Sequence, residues 1–150
     1  MKIPEPLFVI VNPAVRLLLS SPLHGLASKS LLLITYTGRR SGRRYTTPLR
    51  YMRDGDVIRC FTSRDTNWWK NLQGGQTVTL TVAGVKDAYL AEVIAGDPIT
   101  TRAHLIAYFA LFPQDADYHE VGLDANKKPI SQDLDRACEE AVVVEMRRPK

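Results

Sequence analysis

Histidine and cysteine are scarce in this 150-residue chain, with three and two copies, and neither type clusters. His24, His104 and His119 stand far apart, and no H-E-x-x-H or Cys/His group offers the ligands a structural or catalytic metal requires. Cys60 and Cys138 are too few and too distant for a disulfide framework, so a reduced, cytoplasmic protein is expected. No apolar run approaches the ~20 residues of a membrane span. G-x-S-x-G, G-x-x-x-x-G-K-[ST] and a helix-opening G-x-G-x-x-G are also missing. If the chain is an enzyme, a bound cofactor has to carry the difficult chemistry.

Composition is otherwise that of one globular domain, 45% hydrophobic and 24% charged, long enough to bury a core without staples. Charge is unevenly distributed. Residues 1–70 hold 12 Lys/Arg against 4 Asp/Glu, and residues 71–150 hold 8 against 12. Arg39, Arg40, Arg43, Arg44, Arg50 and Arg53 fall in a stretch with no acid from 39 to 53. Arginine at that density, and not lysine, points to an anionic partner gripped bidentately, a phosphate or a carboxylate. Nucleic acid is not expected, because the aromatic strip of a single-strand platform is absent apart from Tyr45 and Tyr51.

Along the chain, residues 1–27 read as an N-terminal helical segment starting near Pro13. Asn12-Pro13 and Arg16 interrupt its apolar run, which argues against a secretory signal. Its apolar face is expected to pack on the domain, with peripheral membrane contact as the alternative. Six period-2 runs follow as strands, over 31–37, 45–53, 57–63, 77–82, 86–94 and 142–146. Turn signals at Gly38 to Gly42, Asp54-Gly55 and Gly84 join several of them as hairpins. Pro48 implies an edge strand or a bulge. Helices are expected over 67–72 and 98–112, the second with Ala103, Ile106, Ala107 and Ala110 as its stripe, and around Leu134, Ala137, Cys138 and Ala141. The expected fold is a mainly β, α+β domain spanning 1–150: a six-stranded antiparallel split barrel with an N-terminal helix.

Two segments carry candidate chemistry. The tip Gly38-Arg39-Arg40-Ser41-Gly42-Arg43-Arg44 offers backbone N–H groups and guanidinium forks, with Thr46 and Thr47 on the following strand. Thr62 to Leu72 places Trp68 beside Trp69 at a strand-to-helix junction. Adjacent helical positions diverge, so one indole is expected in the core and the other at a cleft.

These residues carry a resemblance. The run Leu31 to Tyr51, with its T-G-R-x-[ST]-G-x-x-x-x-x-P-L pattern, then Arg53-Asp54-Gly55-Asp56, Ser63-Arg64 and Trp68-Trp69-Lys70-Asn71-Leu72, resembles the deazaflavin-dependent nitroreductase family. The resemblance is close over about residues 28–95. It implies a split β-barrel that binds coenzyme F420, an 8-hydroxy-5-deazaflavin, and passes hydride to an electron-poor small-molecule acceptor such as a quinone, nitroaromatic or enone. Flavin mononucleotide is the alternative cofactor, and a non-catalytic carrier of cofactor or apolar ligand is the alternative role.

Carried over by position, Arg39 and Arg40, with Ser41, Arg43 and Arg44 around them, would hold the cofactor's phosphate and glutamate tail. Thr47 and Pro48 would flank it, and Ser63 and Arg64 would meet the deazaflavin ring. Trp68, Trp69 and Asn71 would belong to the wall of the ring site. Ser63 and Tyr118 are the candidate hydroxyls for protonating the acceptor, with Tyr108 a further candidate beside substrate. The protein is expected to be a monomer or a homodimer, with no metal.

Overall fold

The computed structural model describes residues 31–149. The expected N-terminal helix, and with it any membrane contact, falls outside the described residues. Seven strands form one sheet: β1 (Leu31–Thr37), β2 (Arg44–Arg50), β3 (Met52–Asp54), β4 (Val57–Ser63), β5 (Gln76–Val82), β6 (Val85–Ile94) and β7 (Ala141–Arg147). Two α-helices, α1 (Pro98–Leu111) and α2 (Ser131–Glu140), lie between β6 and β7, and short 3₁₀ turns occupy Trp68–Leu72 and Pro113–Ala116. Every pairing is antiparallel, in the order β2-β1-β5-β6-β7-β4-β3.

Seven strands replace the six expected because 45–53 does not run as one. β2 and β3 are separated by Tyr51 alone, yet they are the two outermost strands of the sheet. Laid flat, six gaps of ~4.8 Å would part them by about 29 Å, whereas two Cα steps span at most ~7 Å. The sheet therefore curls until its edges meet at Tyr51, giving a half-barrel. Pro48 sits in edge strand β2, where its missing N–H costs no ladder bond.

Alternation then sorts side chains to two cores. Leu32, Ile34 and Tyr36 of β1, Leu49 of β2, Ile58 and Cys60 of β4, Val78 and Leu80 of β5, and Val142, Val144 and Met146 of β7 fill the inside of the curl. Outside it, α1 and α2 cover the sheet with Leu105, Tyr108, Phe109, Leu134, Ala137 and Cys138, packed against Met52, Phe61 and Ala141. The last helix thus buries the residues expected of it.

The stripe expected on α1 does not. Thr101, Leu105, Tyr108 and Phe109 face the core, while Ala103, Ile106, Ala107 and Ala110 are exposed. Alanines supported the expected face, but the larger aromatic side chains bury more apolar area and set the rotation of the helix. Asp97 caps α1 by accepting a hydrogen bond from the Thr100 amide at 3.2 Å, with Pro98 in the first turn. Asp97→Ala should cost about 1 kcal/mol, checked by urea denaturation.

On the outer sheet face Arg59 of β4 and Glu145 of β7 form a buried ion pair, with Arg59 Nη2 and Nε donating to Glu145 Oε2 at 2.6 and 2.9 Å. Nothing in the sequence pattern marked it.

Candidate functional site

The arginine tip is a hairpin closed by its own backbone. Gly38 N donates to Arg43 O at 2.7 Å and Gly42 N to Gly38 O at 2.9 Å, with Gly42 at φ +68°. A side chain at Gly38 is excluded, since a Cβ there would meet Ser41 Oγ and Tyr45 Cε2, each at 2.7 Å. Ser41 Oγ accepts from the Arg43 amide and lies 3.2 Å from Tyr45 Oη, so this residue shapes the tip. Arg39, Arg40, Arg43 and Arg44 are all exposed, and none forms an ion pair among the described residues. Arg50 parts from them: its Nε lies 2.7 Å from Asp115 Oδ2 and its guanidinium sits over Phe112 at 5.0 Å. That arginine ties β2 to the helical layer.

The tip is fastened to the 3₁₀ turn at 68–72. Asn71 Oδ1 accepts from the Arg39 amide at 2.8 Å, while Asn71 Nδ2 donates to Trp68 O at 3.1 Å. Gln76, the first residue of β5, accepts from Thr37 N at 2.8 Å and donates to Thr37 O at 3.2 Å and Asn71 O at 3.1 Å. An aromatic series runs the same way, Tyr45 stacking on Tyr36 at 5.7 Å and Tyr36 lying 6.5 Å from Trp68. Gln76 was missed by sequence reasoning, because a polar residue opening a strand after Gly74-Gly75 looks like ordinary loop. It also lines an open groove of about 560 Å³ with Gly74, Gly75, Leu90, Glu92 and Val93.

Both tryptophans are buried, at 4% and 6% exposure, in the same interior core. The expected division between core and cleft is not what the structure has. The 3₁₀ turn lies across the end of the half-barrel, so both rings enter it, and Trp69 Nε1 donates to Ser63 O at 3.0 Å. Thr66 N and Oγ1 reach the same carbonyl at 3.1 and 2.9 Å, fixing the turn after β4. Ser63 is itself buried, and its hydroxyl donates to Asp65. Arg64 is exposed beyond it, its amide bonded to Glu140 O at 2.9 Å. Thr47 is buried on the inward face of β2, and Pro48 is half-buried on the other.

The tyrosines belong to the helical layer. Tyr108 is 3% exposed, packs on Phe61 at 4.3 Å and donates to Asp115. Burial first, and Asp115 second, push its pKa well above the ordinary tyrosine range, so it is a neutral packing residue. Tyr118 is half-buried and meets His119 edge-on at 4.9 Å. Burial likewise raises the Cys60 thiol, which excludes a thiolate at neutral pH. No group of three or more potential metal ligands occurs among the described residues.

The model of one family, the F420H(2)-dependent quinone reductase family, matches residues 19–120, more than half of the chain. The chain belongs to that family. Solved structures share its fold at low identity. A domain-swapped dimer is 18% identical with a TM-score of 0.53, over 93% of this chain and 98% of its own. An F420-H2 dependent reductase (FDR-A) is 18% identical with a TM-score of 0.51, over 78% of this chain and 94% of its own. A FAD and heme binding protein from Mycobacterium smegmatis is 16% identical with a TM-score of 0.50, over 87% of this chain and 67% of its own. No curated protein matches the chain.

Membership of the F420H(2)-dependent quinone reductase family settles the cofactor as coenzyme F420 over flavin mononucleotide, and the class of activity as F420-dependent reduction. The donor set fits. A phosphodiester extended by glutamates needs several forked cations free of competing acids, and the tip presents four exposed arginines without an ion-pair partner among the described residues. The fold is the split-barrel fold of these reductases, with a seven-stranded sheet curled as a half-barrel.

Proposed function

We propose that this chain holds coenzyme F420 by its acidic tail on Arg39, Arg40, Arg43 and Arg44 and reduces an electron-poor small molecule, a quinone first, with nitroaromatics or enones as alternatives. The four exposed arginines on a tip bolted to the 3₁₀ turn carry this reading. When bound, the reduced deazaflavin supplies two electrons and a proton as hydride to the acceptor. The protein binds, orients and excludes water. Ser41 shapes the tip and Asn71 holds the Arg39 amide. Thr47 and Pro48 on β2, Ser63 at the end of β4 with Arg64 just after it, and the Trp68 and Trp69 turn form the supports beside the ring. Trp69 acts through Ser63 O.

Two hydroxyls are proposed to protonate the acceptor. That of Ser63 is engaged by Asp65 in the described structure, so Tyr118 carries this role in the proposal. A homodimer is supported by the solved domain-swapped dimer of the same fold, and a reducing, cytoplasmic setting by the two free, buried cysteines. No helix among the described residues is long and apolar enough to cross a membrane. For the N-terminal segment the first reading stays packing on the domain, with peripheral membrane contact as the alternative.

The test is turnover. Purified protein mixed with reduced F420 should oxidise it on addition of a quinone, read from the return of deazaflavin absorbance, and faster than without protein. A chain that binds the reduced cofactor but leaves it unoxidised on addition of each quinone, nitroaromatic and enone would be a carrier.

A further inference from the structure

We propose that Gln76 is a positioning residue for the cofactor tail: its carboxamide stands in for a missing strand pair and sets where the arginine tip lies. The inference rests on the anchoring role proposed for the tip. The β1–β5 ladder pairs Leu33 with Thr81 and Thr35 with Thr79, then stops. Continued in the same register, Thr37 would pair with Thr77. Instead the Gln76 side chain meets Thr37, accepting from its N–H at 2.8 Å and donating to its carbonyl at 3.2 Å. A primary amide presents one donor and one acceptor side by side, as a peptide group does across an antiparallel ladder.

The second N–H of the same carboxamide is used as well, since Gln76 Nε2 also donates to Asn71 O at 3.1 Å. Asn71 in turn holds the Arg39 amide at 2.8 Å. One side chain therefore grips the last residue of β1 and the turn that fastens the first arginine of the tip. Gly38, directly after Thr37, is bonded into the tip at both backbone groups, its N–H to Arg43 O at 2.7 Å and its carbonyl to Gly42 N at 2.9 Å, so a displaced Thr37 moves the tip with it. Gln76 is only partly buried and lies outside the interior core, so its removal does not open a cavity there. Its effect is expected on tip position and not on global folding.

The experiment compares wild type, Gln76→Ala, Gln76→Glu and the Arg39→Ala/Arg40→Ala double variant. Each is titrated with oxidised F420 and with the tail-less deazaflavin riboside, and thermal midpoints are recorded. Gln76→Ala should weaken F420 binding about tenfold while riboside affinity and the thermal midpoint stay near wild type. Gln76→Glu keeps the acceptor for Thr37 N–H but loses the N–H donors, and should also fall for F420 alone. Amide hydrogen exchange of the ligand-free protein should speed up at Thr37 and Arg39 in Gln76→Ala, and at Arg39 but not at Thr37 in Gln76→Glu, which keeps the Thr37 acceptor. Equal weakening of F420 and riboside in both variants would make Gln76 a structural residue and overturn the inference. Undiminished F420 affinity in Gln76→Ala, beside a weakened double arginine variant, overturns this inference alone. Full F420 affinity in the double variant overturns it together with the anchoring role.

Discussion

Replacing Arg39 and Arg40 together by alanine is expected to weaken F420 binding about a hundredfold or more. Each charge-assisted contact at a partly exposed site is worth roughly 1.5–3 kcal/mol, or about one to two decades in dissociation constant. The two arginines are neighbours on one tip, and Arg43 and Arg44 remain to share the tail, so the losses do not simply add. Turnover at saturating cofactor should change little, because a tail held equally in ground and transition states contributes to affinity alone. Raising salt should weaken the wild type more than the variant, since screening acts on charges the variant lacks. Titration and steady-state kinetics of the same preparations read both quantities. Unaltered affinity with a collapsed turnover rate would instead place these arginines at the reacting centre.

Arg59→Met should destabilise the domain by about 3–5 kcal/mol, the usual cost of stranding one member of a buried ion pair. Arg59 and Glu145 are 6% and 8% exposed, and the guanidinium makes both of its short contacts to one carboxylate oxygen. Arg147 Nη2 approaches the other Glu145 oxygen at 3.6 Å and is half exposed, too weakly placed to replace Arg59. The paired change Arg59→Met with Glu145→Leu should recover most of the loss, because no buried charge is then left unpaired; Asp54, which Arg59 Nη1 also meets at 3.3 Å, and Arg147 are exposed. Chemical denaturation of the two variants separates these outcomes, and an equally unstable double variant would show that packing and not charge is at issue.

His104 Nε2 lies 4.0 Å from the same carboxylate. Burial first, and Arg59 second, hold its pKa below the ordinary 6.5, against the pull of Glu145, Asp54 and Asp97. The folded state therefore disfavours its proton, and stability should decline as pH falls below about 6.5, where the unfolded chain takes the proton up first. In Arg59→Met that slope should shallow, because one of its causes is gone.

Much of this architecture is legible in the residues, for identifiable reasons. Strands such as 76–82 and 141–147 alternate or are rich in β-branched side chains, and glycine turns mark the ends of 76–82, so local pattern and tertiary fold agree. The last helix has one narrow apolar stripe and only one way to face the sheet. The α1 helix is apolar nearly all round, so its rotation depends on whether aromatics or alanines meet the sheet, which is decided by the partner surface. The division of 45–53 into β2 and β3 depends on the sheet curling back on itself, a long-range event that no window of nine residues records.

At the site, the arginine tip stands out because its charge is unbalanced locally. Arg50 belongs by sequence to the same cluster, yet Asp115, 65 positions on, takes it into the helical layer. Trp68 and Trp69 share one core because the turn that carries them is 3₁₀ and caps the half-barrel. The Gln76 clamp is a side chain imitating backbone, and nothing in its neighbours' composition distinguishes it from a solvated loop residue.

The most direct measurement is an equilibrium titration of the purified protein with oxidised coenzyme F420 and, separately, flavin mononucleotide, followed by the fluorescence of Trp68 and Trp69 at low and high salt. The expected result is saturable quenching by F420, tighter than by flavin mononucleotide, with the advantage shrinking as salt screens the arginines from the glutamate tail. Equal or tighter binding of flavin mononucleotide, or F420 binding indifferent to salt, would contradict an arginine tip built for the deazaflavin's acidic tail.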